Sequence, residues 1–547
     1  MARKAGSAGI VAFALALALG LPAVAAADDA FVDADTGSDS NPCTEDEPCA
    51  SIHVGIAAAG PSDTVHVDPG SYNVGIQVDD GISVVADPFA DGVGQVSLNG
   101  GGFPAVEVLA GGAGTIRGLS ITSTTNPVID VSGAVTLTGN RVLVPTLGTT
   151  GIGVSALPAD AVVIDDNDFF GGGANQRAIE AEGADLTISG NRIGDTGNRF
   201  NGGVFVEATT DAEIVGNQFR GMVQHMANSG QAIYIQDATA TIVANSVRES
   251  VPGTVIPITL NEVAGGVATG ASLQRNELYG QGLGVGVIVN DTAGVVTLDG
   301  DLITGFSQGL DAEDAGADSA TDADVSVTGA TLWENSVADI AIEGSDLSLD
   351  STIMSIGVQE AGTVSCTITF SRASADVPSA SGCADVQTVA GPQFVDPAPV
   401  SGDPDLHLTA GSPMLDAGNP AAPTGTLLDI DGLPRLADGD QLCPQELRRD
   451  IGADEFGDLL DCDPPQTRVK GKKRSKKPRV RFRLRSDEPG STFRCKLDSK
   501  PYRNCRARYR TPRLEPGKHK LKVKATDAAG NQDPTAAVKR FRVLDPN

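Results

Sequence analysis

Along the first two thirds of the chain, apolar residues recur in short runs where every second position is hydrophobic, and many runs end on Asn or Gly-Asn. Aligned on that ending, TLTGN (to Asn140), VVIDDN (Asn167), LTISGN (Asn191), EIVGN (Asn217), TIVAN (Asn245) and SLQRN (Asn276) fall into register. TLDGD (Asp301) and SVTGA (Ala330) are degenerate copies, and the endings lie 27, 24, 26, 28, 31, 25 and 29 residues apart. A second run sits at a matching phase: IGVS (to Ser155), IEAE (Glu182), VFVE (Glu207), IYIQ (Gln236), ITLN (Asn261), VIVN (Asn290), LDAE (Glu313) and IAIE (Glu343). Alternation of period two marks strands with one buried face. A unit this short cannot cover its own apolar face, so successive units must stack. Each strand then pairs in parallel with its equivalent one coil away, about 4.8 Å along the axis. The pattern predicts an all-β fold whose main body is a right-handed parallel β-helix. The recurring Asn is expected at the sharp turns, in left-handed backbone, with side chains hydrogen-bonding from coil to coil. That role is structural, and no chemistry is assigned to it.

The pattern changes near Asp463-Pro464-Pro465. RVRFRLRS (479–486), STFRCKLD (491–498), HKLKVKATD (519–527) and KRFRV (539–543) alternate apolar with basic residues between Gly, Pro and Asp turns, which reads as a small β-sandwich. Phe482, Leu484, Phe493, Leu497, Leu521, Val523, Phe541 and Val543 form its apolar face, and Lys and Arg the other. Charge divides at the same boundary. Residues 465–547 hold 26 Lys and Arg against 7 Asp and Glu, while the rest holds 14 against 63. A surplus of +19 in so short a module attracts polyanions by counterion release. The run KGKKRSKK (470–477) alone would say less, because such runs are commonly linkers.

At the other end, Arg3 and Lys4, an apolar run from Gly9 to Leu21 and Ala25-Ala26-Ala27 form a signal peptide over residues 1–27. No second apolar stretch is long enough to span a membrane, so a secreted, extracellular chain is expected, with cell-surface association one outcome. Export favours disulfides, and the eight cysteines fall in close pairs: Cys43 with Cys49, Cys366 with Cys383, Cys443 with Cys462, and Cys495 with Cys505. Nearest-neighbour pairing is the simplest connectivity. No pair is C-x-x-C and His is scarce, which argues against zinc fingers.

The repeat resembles the pectin-lyase-like, right-handed parallel β-helix proteins of bacteria, over roughly residues 31–390. FVDADTGSDSNPC (31–43), PCASIHVGIAAAG (48–60) and DTVHVDPGSY (63–72) look like the usual start of such proteins. There a short helix, here about Ser51 to Ala59, caps the first coil and protects an open sheet edge. FVDP (394–397), DLHLTAGSPMLDAG (405–418), DIDGLPR (429–435) and DIGADEF (450–456) resemble the choice-of-anchor segment that closes bacterial surface β-helices. That resemblance implies turn and cap roles for Asp416, Asp429, Asp431, Arg435, Asp450 and Glu455, with metal binding as the rival role. The basic module resembles bacterial Ig-like domains in FRCKLDSKPYRNC (493–505) and LEPGKHKLKVKATDAAGNQDPT (514–535), which implies a hairpin stapled by Cys495 and Cys505. The expected order is signal peptide 1–27, β-helix with N-terminal cap 28–393, C-terminal cap 394–463 and Ig-like sandwich 464–547.

Stacking the second strand puts Ser155, Glu182, Glu207, Gln236, Asn261, Asn290, Glu313 and Glu343 in one outward column. Phe205 and Tyr234 stand at its outward second position, with Asp237, Glu262, Asp291 and Asp314 beside the middle rungs. Glu182, Glu207, Gln236, Asn261, Asn290, Glu313, Phe205 and Tyr234 are the candidate ligand-binding residues, for a glycan chain. Asp237, Glu262, Asp291 and Asp314 are the candidate metal ligands, with calcium the cofactor that hard oxygens suit. The acidic stretch DAEDAGADSATDAD (311–324) lacks the EF-hand spacing and reads as a solvated loop.

Catalysis has weaker support. Glu182 and Glu207 on adjacent rungs approach the roughly 5 Å separation of a retaining glycosidase, but any parallel β-helix creates such neighbours. Arg220 and His225 form the one basic cluster worth testing, and His225 lies in GMVQHMANSG (221–230), which reads as a loop. The N-T-D, G-H-G and R-I-K motifs of polygalacturonase-type members of the superfamily are absent, and D-D pairs such as Asp165-Asp166 lack their context. The acidic body also repels uronate chains within about 8 Å at physiological salt unless calcium bridges them. The sequence therefore favours a non-catalytic secreted or cell-surface protein that binds glycan or anionic envelope polymer, with the basic module as its attachment. The alternative is a secreted polysaccharide lyase or glycoside hydrolase acting along the column. A monomer is expected, and nucleic acid is not the expected partner.

Overall fold

The computed structural model describes residues 29–545 apart from short internal stretches, the longest being 87–95, 223–229, 314–323, 374–386, 421–427, 437–447 and 458–463. The expected signal peptide, His225, Asp291, Asp314, Cys383, Cys443 and Cys462 lie outside the described residues. Two compact units divide the chain, one ending near Gly221 and the other beginning near Met222, with residues 214–216 belonging to the second.

Each unit contains coils of a right-handed parallel β-helix, as the repeat predicted. A coil has three strands. In the first unit one sheet runs through Val135–Thr138, Ala161–Asp165 and Asp185–Ser189, paired in parallel with Val162 beside Leu186 and Ile164 beside Ile188. A second sheet holds the short strands that follow each Asn, such as Arg141–Leu143, Asp168–Phe170 and Arg192–Ile193. The third holds Ile129–Val131, Thr150–Ser155, Arg177–Glu182 and Gly202–Glu207. The second unit repeats the scheme, with Gly230–Gln236, Val255–Asn261, Val285–Asn290, Gln308–Glu313 and Ala338–Glu343 in its third sheet. The inward residues stack aliphatic on aliphatic, and Leu137, Ile164, Ile188, Ile258 and Leu310 are fully buried. At roughly 1.5–3 kcal/mol per buried side chain, these columns are the main source of stability.

The recurring Asn residues line the inside of the turn between the first and second sheets. Asn167 Nδ2 donates to Leu137 O (2.9 Å) and to Asn191 Oδ1 (3.0 Å), and Asn191 Nδ2 donates to Ile164 O (2.8 Å) and Asn217 Oδ1 (2.9 Å). The second unit carries the same ladder through Asn245, Asn276 and Asp301. The left-handed residue is not the Asn, as the sequence suggested, but the one before it: Gly139, Asp166, Gly190, Ala244, Arg275 and Gly300 all have φ between 51° and 72°. Asn keeps ordinary backbone because its side chain must point inward to reach the neighbouring coil.

The helix Ile52–Ala58 packs on the first strand, close enough that a Cβ on Gly55 would meet Val32 Cγ2 at 2.6 Å. Cys43 is bonded to Cys49, and Cys495 to Cys505, as expected, and Cys366 is also disulfide-bonded. In the second unit, the described parts of residues 394–456 lie against the second sheet. Phe394, Leu406, Leu408, Met414, Ile451 and Ala453 form a core with Leu302 and Ile353, and Trp333 packs edge-on to Phe394. Arg435 is buried there and donates to Ala453 O (2.8 Å).

The C-terminal module pairs a three-stranded sheet (Thr467–Gly471, Arg481–Ser486, Arg508–Arg510) with a five-stranded one. The larger sheet contains Arg474–Ser475, Ala537–Val543, Gly517–Thr526, Thr492–Leu497 and Arg503–Cys505. Between them lie the predicted apolar residues, from Phe482 and Leu484 to Phe541 and Val543, all at most 8% exposed.

Candidate functional site

The outward column is assembled in the register the repeat predicted. In the first unit Ser155 pairs with Glu182, and Glu182 with Glu207. In the second, Gln236, Asn261, Asn290, Glu313 and Glu343 are successive partners, and Ala361 ends the row. Beside the first group is a groove of about 260 Å³, lined by Asp130, Thr150, Ser155, Glu180, Glu182 and Glu207 among others. Glu180 is already engaged, accepting from Thr150 Oγ1 (3.0 Å) and from Arg177 Nη1 (2.6 Å). Burial, followed by the charge of Glu107, raises the Asp130 carboxyl above its ordinary value.

The two aromatics are less available than the alternation implied. Phe205 is 7% exposed, because the Arg177 guanidinium lies over its ring at 4.0 Å. Tyr234 turns its hydroxyl to Gln236 Oε1 (2.7 Å). Asp237 Oδ1 accepts Val263 N (2.9 Å), and Glu262 Oε2 accepts Thr269 N (3.1 Å) and Ala293 N (2.9 Å), so both cap loops between coils. Arg220 is exposed on the second sheet, in the strand Gln218–Arg220, a different sheet from the one bearing Glu182 and Glu207. It does not join them.

Asp311 and Glu313 belong to a strand rather than to the acidic loop the sequence suggested. Burial, then Glu313 and Glu343, push the Asp311 carboxyl up to about 6. In the second unit the third sheet thus carries amides at Gln236, Asn261 and Asn290 followed by carboxylates at Glu313 and Glu343.

The strongest electrostatic feature lies in the sandwich. On the three-stranded sheet Arg468 stands opposite Arg485, Lys470 opposite Arg483, Arg483 opposite Arg508, and Arg481 opposite Arg510, all exposed. On the five-stranded sheet Arg494 faces Lys524, Lys496 faces Lys522, Lys520 faces Arg540, and Arg542 faces both Lys518 and Arg474. Among the described residues the sandwich has one ion pair, His519 with Asp498 (2.8 Å), and none involving these cations. Alternation explains the arrangement: the Phe, Leu and Val of each strand turn inward, so every intervening Arg or Lys turns out. A cleft of about 460 Å³ opens beside the Cys495–Cys505 hairpin, lined by Lys500, Arg503, Asn504 and Tyr509 with Pro501 and Pro512.

The sequence offered metal binding as the rival role of Asp431 but not its partners: His407, Asp431 and Asp454 come together in the 394–456 segment, and neither His407 nor Asp454 was a candidate.

Residues 35–225 match the family described as "Protein of unknown function (DUF1565)". No curated protein matches the chain. Among solved structures it is similar to pectate lyase Pel9A, at 14% identity over 79% of this chain and 98% of that one, with a TM-score of 0.35. A rhamnogalacturonan lyase matches at 12% identity over 68% and 91%, TM-score 0.24. The catalytic domain of a GH87 α-1,3-glucanase in complex with nigerose matches at 12% over 58% and 66%, TM-score 0.28. Among the described residues no helix is long and apolar enough to cross a membrane.

Proposed function

We propose that this is an exported, non-catalytic binding protein held on an anionic envelope polymer by its C-terminal sandwich. The observation that carries the reading is the cross-strand pairing of cations on both outer faces without carboxylate partners. Like charges directly opposite each other in a sheet cost a few tenths to about 1 kcal/mol per pair. The small core opposes that cost at every rung. A bound polyanion reverses its sign, because each contacted anionic group releases a condensed counterion and neutralises both members of a pair. The acidic column of the β-helix, with its groove at Ser155, Glu182 and Glu207, is then the glycan-facing surface, and its charge favours a neutral chain.

One observation favours the enzyme reading: Glu182 and Glu207 are direct partners on adjacent strands beside that groove. The two readings separate in a single experiment. The protein is incubated with neutral and acidic polysaccharides, with and without calcium, and new reducing ends or unsaturated uronates are followed. No cleavage, together with retention on cells that is lost on deleting residues 465–547, is the expected result. Cleavage abolished by Glu182→Gln or Glu207→Gln would replace the binding reading with a hydrolase or lyase.

A further inference from the structure

The 394–456 segment holds a polar site that neither reading uses. One ligand atom from each of His407, Asp431 and Asp454 lies within 4.8 Å of the other two, and His407 Nε2 is 3.0 Å from Asp431 Oδ2. The imidazole is oriented from behind: its Nδ1 is 2.6 Å from Asp405 Oδ1, which directs Nε2 at the cluster. A carboxylate placed this way behind an imidazole fixes the tautomer and raises the basicity of the other nitrogen, as it does in metal sites. Asp454 is 7% exposed and is anchored by Leu408 N on Oδ2 (2.6 Å).

Asp429 supplies the independent observation. Its side chain is fully buried, and Oδ1 accepts Asp431 N (3.1 Å) and Leu433 N (2.6 Å). Oδ2 has no hydrogen-bond partner among the described residues. The Ile430 N–H to Ala453 O bond (3.1 Å) pins the Asp429–Asp431 turn beside Asp454. Arg435 is the nearby cation: its Nη1 and Nη2 donate to the carbonyls of Ala453 and Gly329, and its buried Nε has no hydrogen-bond partner among the described residues. Three carboxylates, Asp405, Asp431 and Asp454, thus surround one imidazole, and beside them the buried Asp429 Oδ2 has no donor among the described residues. An anion buried without a partner is among the costliest groups a fold can carry.

We propose that His407, Asp431 and Asp454 hold a divalent first-row transition ion, with the buried Asp429 carboxylate adding negative charge from the same turn. Imidazole nitrogen with carboxylate oxygen is a donor set that zinc accepts at about 2.0–2.2 Å, whereas calcium takes oxygen ligands almost exclusively. The ion would tie the strand Asp405–Leu408, the Asp429–Leu433 turn and the Asp450–Phe456 segment together, so binding stabilises the second unit.

The test is titration of the full, metal-free chain with zinc chloride by calorimetry, with calcium chloride as the comparison. His407→Gln and Asp431→Asn are the variants, since both side chains are nearly half exposed and neither should unfold the protein. The expected result is one saturable zinc site, weakened about tenfold or more in each variant, matched by loss of the zinc-induced rise in unfolding temperature. Three results would overturn the proposal: no saturable zinc uptake, zinc uptake unchanged in both variants, or calcium bound as tightly as zinc. In the first case the cluster is an ion pair of protonated His407 with Asp405 and Asp431.

Discussion

Polar residues recur at strand spacing in two regions, the buried Asn turn of the coils and the outer faces of the sandwich, and the two treat their neighbours in opposite ways. In the turn, each side chain meets the demand of the next: Asn191 accepts from Asn167 and donates to Ile164 O and to Asn217. In the sandwich, Arg483 stands between Lys470 and Arg508 and finds no carboxylate. A repeated polar residue whose bonds close within the molecule is scaffold. One left unmatched, rung after rung, points outward to a partner of opposite charge.

The comparison can be broken first at the ladder. Asn191→Leu strands the Asn167 backbone and side-chain N–H groups and Ile164 O inside the coil, and should cost about 4 kcal/mol in urea unfolding. A loss below about 1 kcal/mol would mean that water replaces the ladder.

Next in size is Asp301, where the ladder carries a carboxyl instead of an amide. Its Oδ1 accepts from Asn276, its Oδ2 has no hydrogen-bond partner among the described residues, and burial pushes its pKa up to about 7. By the ladder's register Oδ2 occupies the place where an Asn would donate to Leu273 O, so the proton-bearing acid is the form that fits. The folded state then holds the proton more tightly than the unfolded chain does. Its contribution is complete below about pH 4 and is lost as pH rises through about 7. Asp301→Asn should therefore be neutral at pH 4 and stabilising by about 2–4 kcal/mol at pH 8, measured by denaturant midpoints at both pH values.

A smaller effect sharpens the other side. Arg483→Glu turns two repulsive pairs into attractive ones and should raise the sandwich's stability by about 1 kcal/mol while weakening polymer binding. Stability and binding moving together would contradict the reading. Smallest is Ala244→Gly, which relieves left-handed backbone at φ 53° and should gain about 0.5–1 kcal/mol in thermal unfolding.

What could be read from the sequence follows from periodicity. The Asn turn and the column from Ser155 to Glu343 repeat once per coil, and both were legible residue by residue. The second sheet was not, because strands such as Arg192–Ile193 are too short to show alternation. The left-handed position was misplaced because its occupant varies among Gly, Asp, Ala and Arg, while the Asn beside it is constant. Phe205 looked available because alternation fixes which face a residue takes, not whether Arg177 from the neighbouring strand covers it. The motif resemblance raised metal binding for Asp431, but its grouping with His407 and Asp454 joins three separate segments through tertiary packing, which no local pattern records.

The most direct test of the attachment role is the binding of the full chain to immobilised polyphosphate across a salt series, with dextran as the neutral control. The account predicts affinity falling steeply and linearly with the logarithm of salt, no retention on dextran, and a drop of about tenfold or more on Arg483→Glu with Arg540→Glu. Salt-independent binding, or binding unchanged by both reversals, would contradict it.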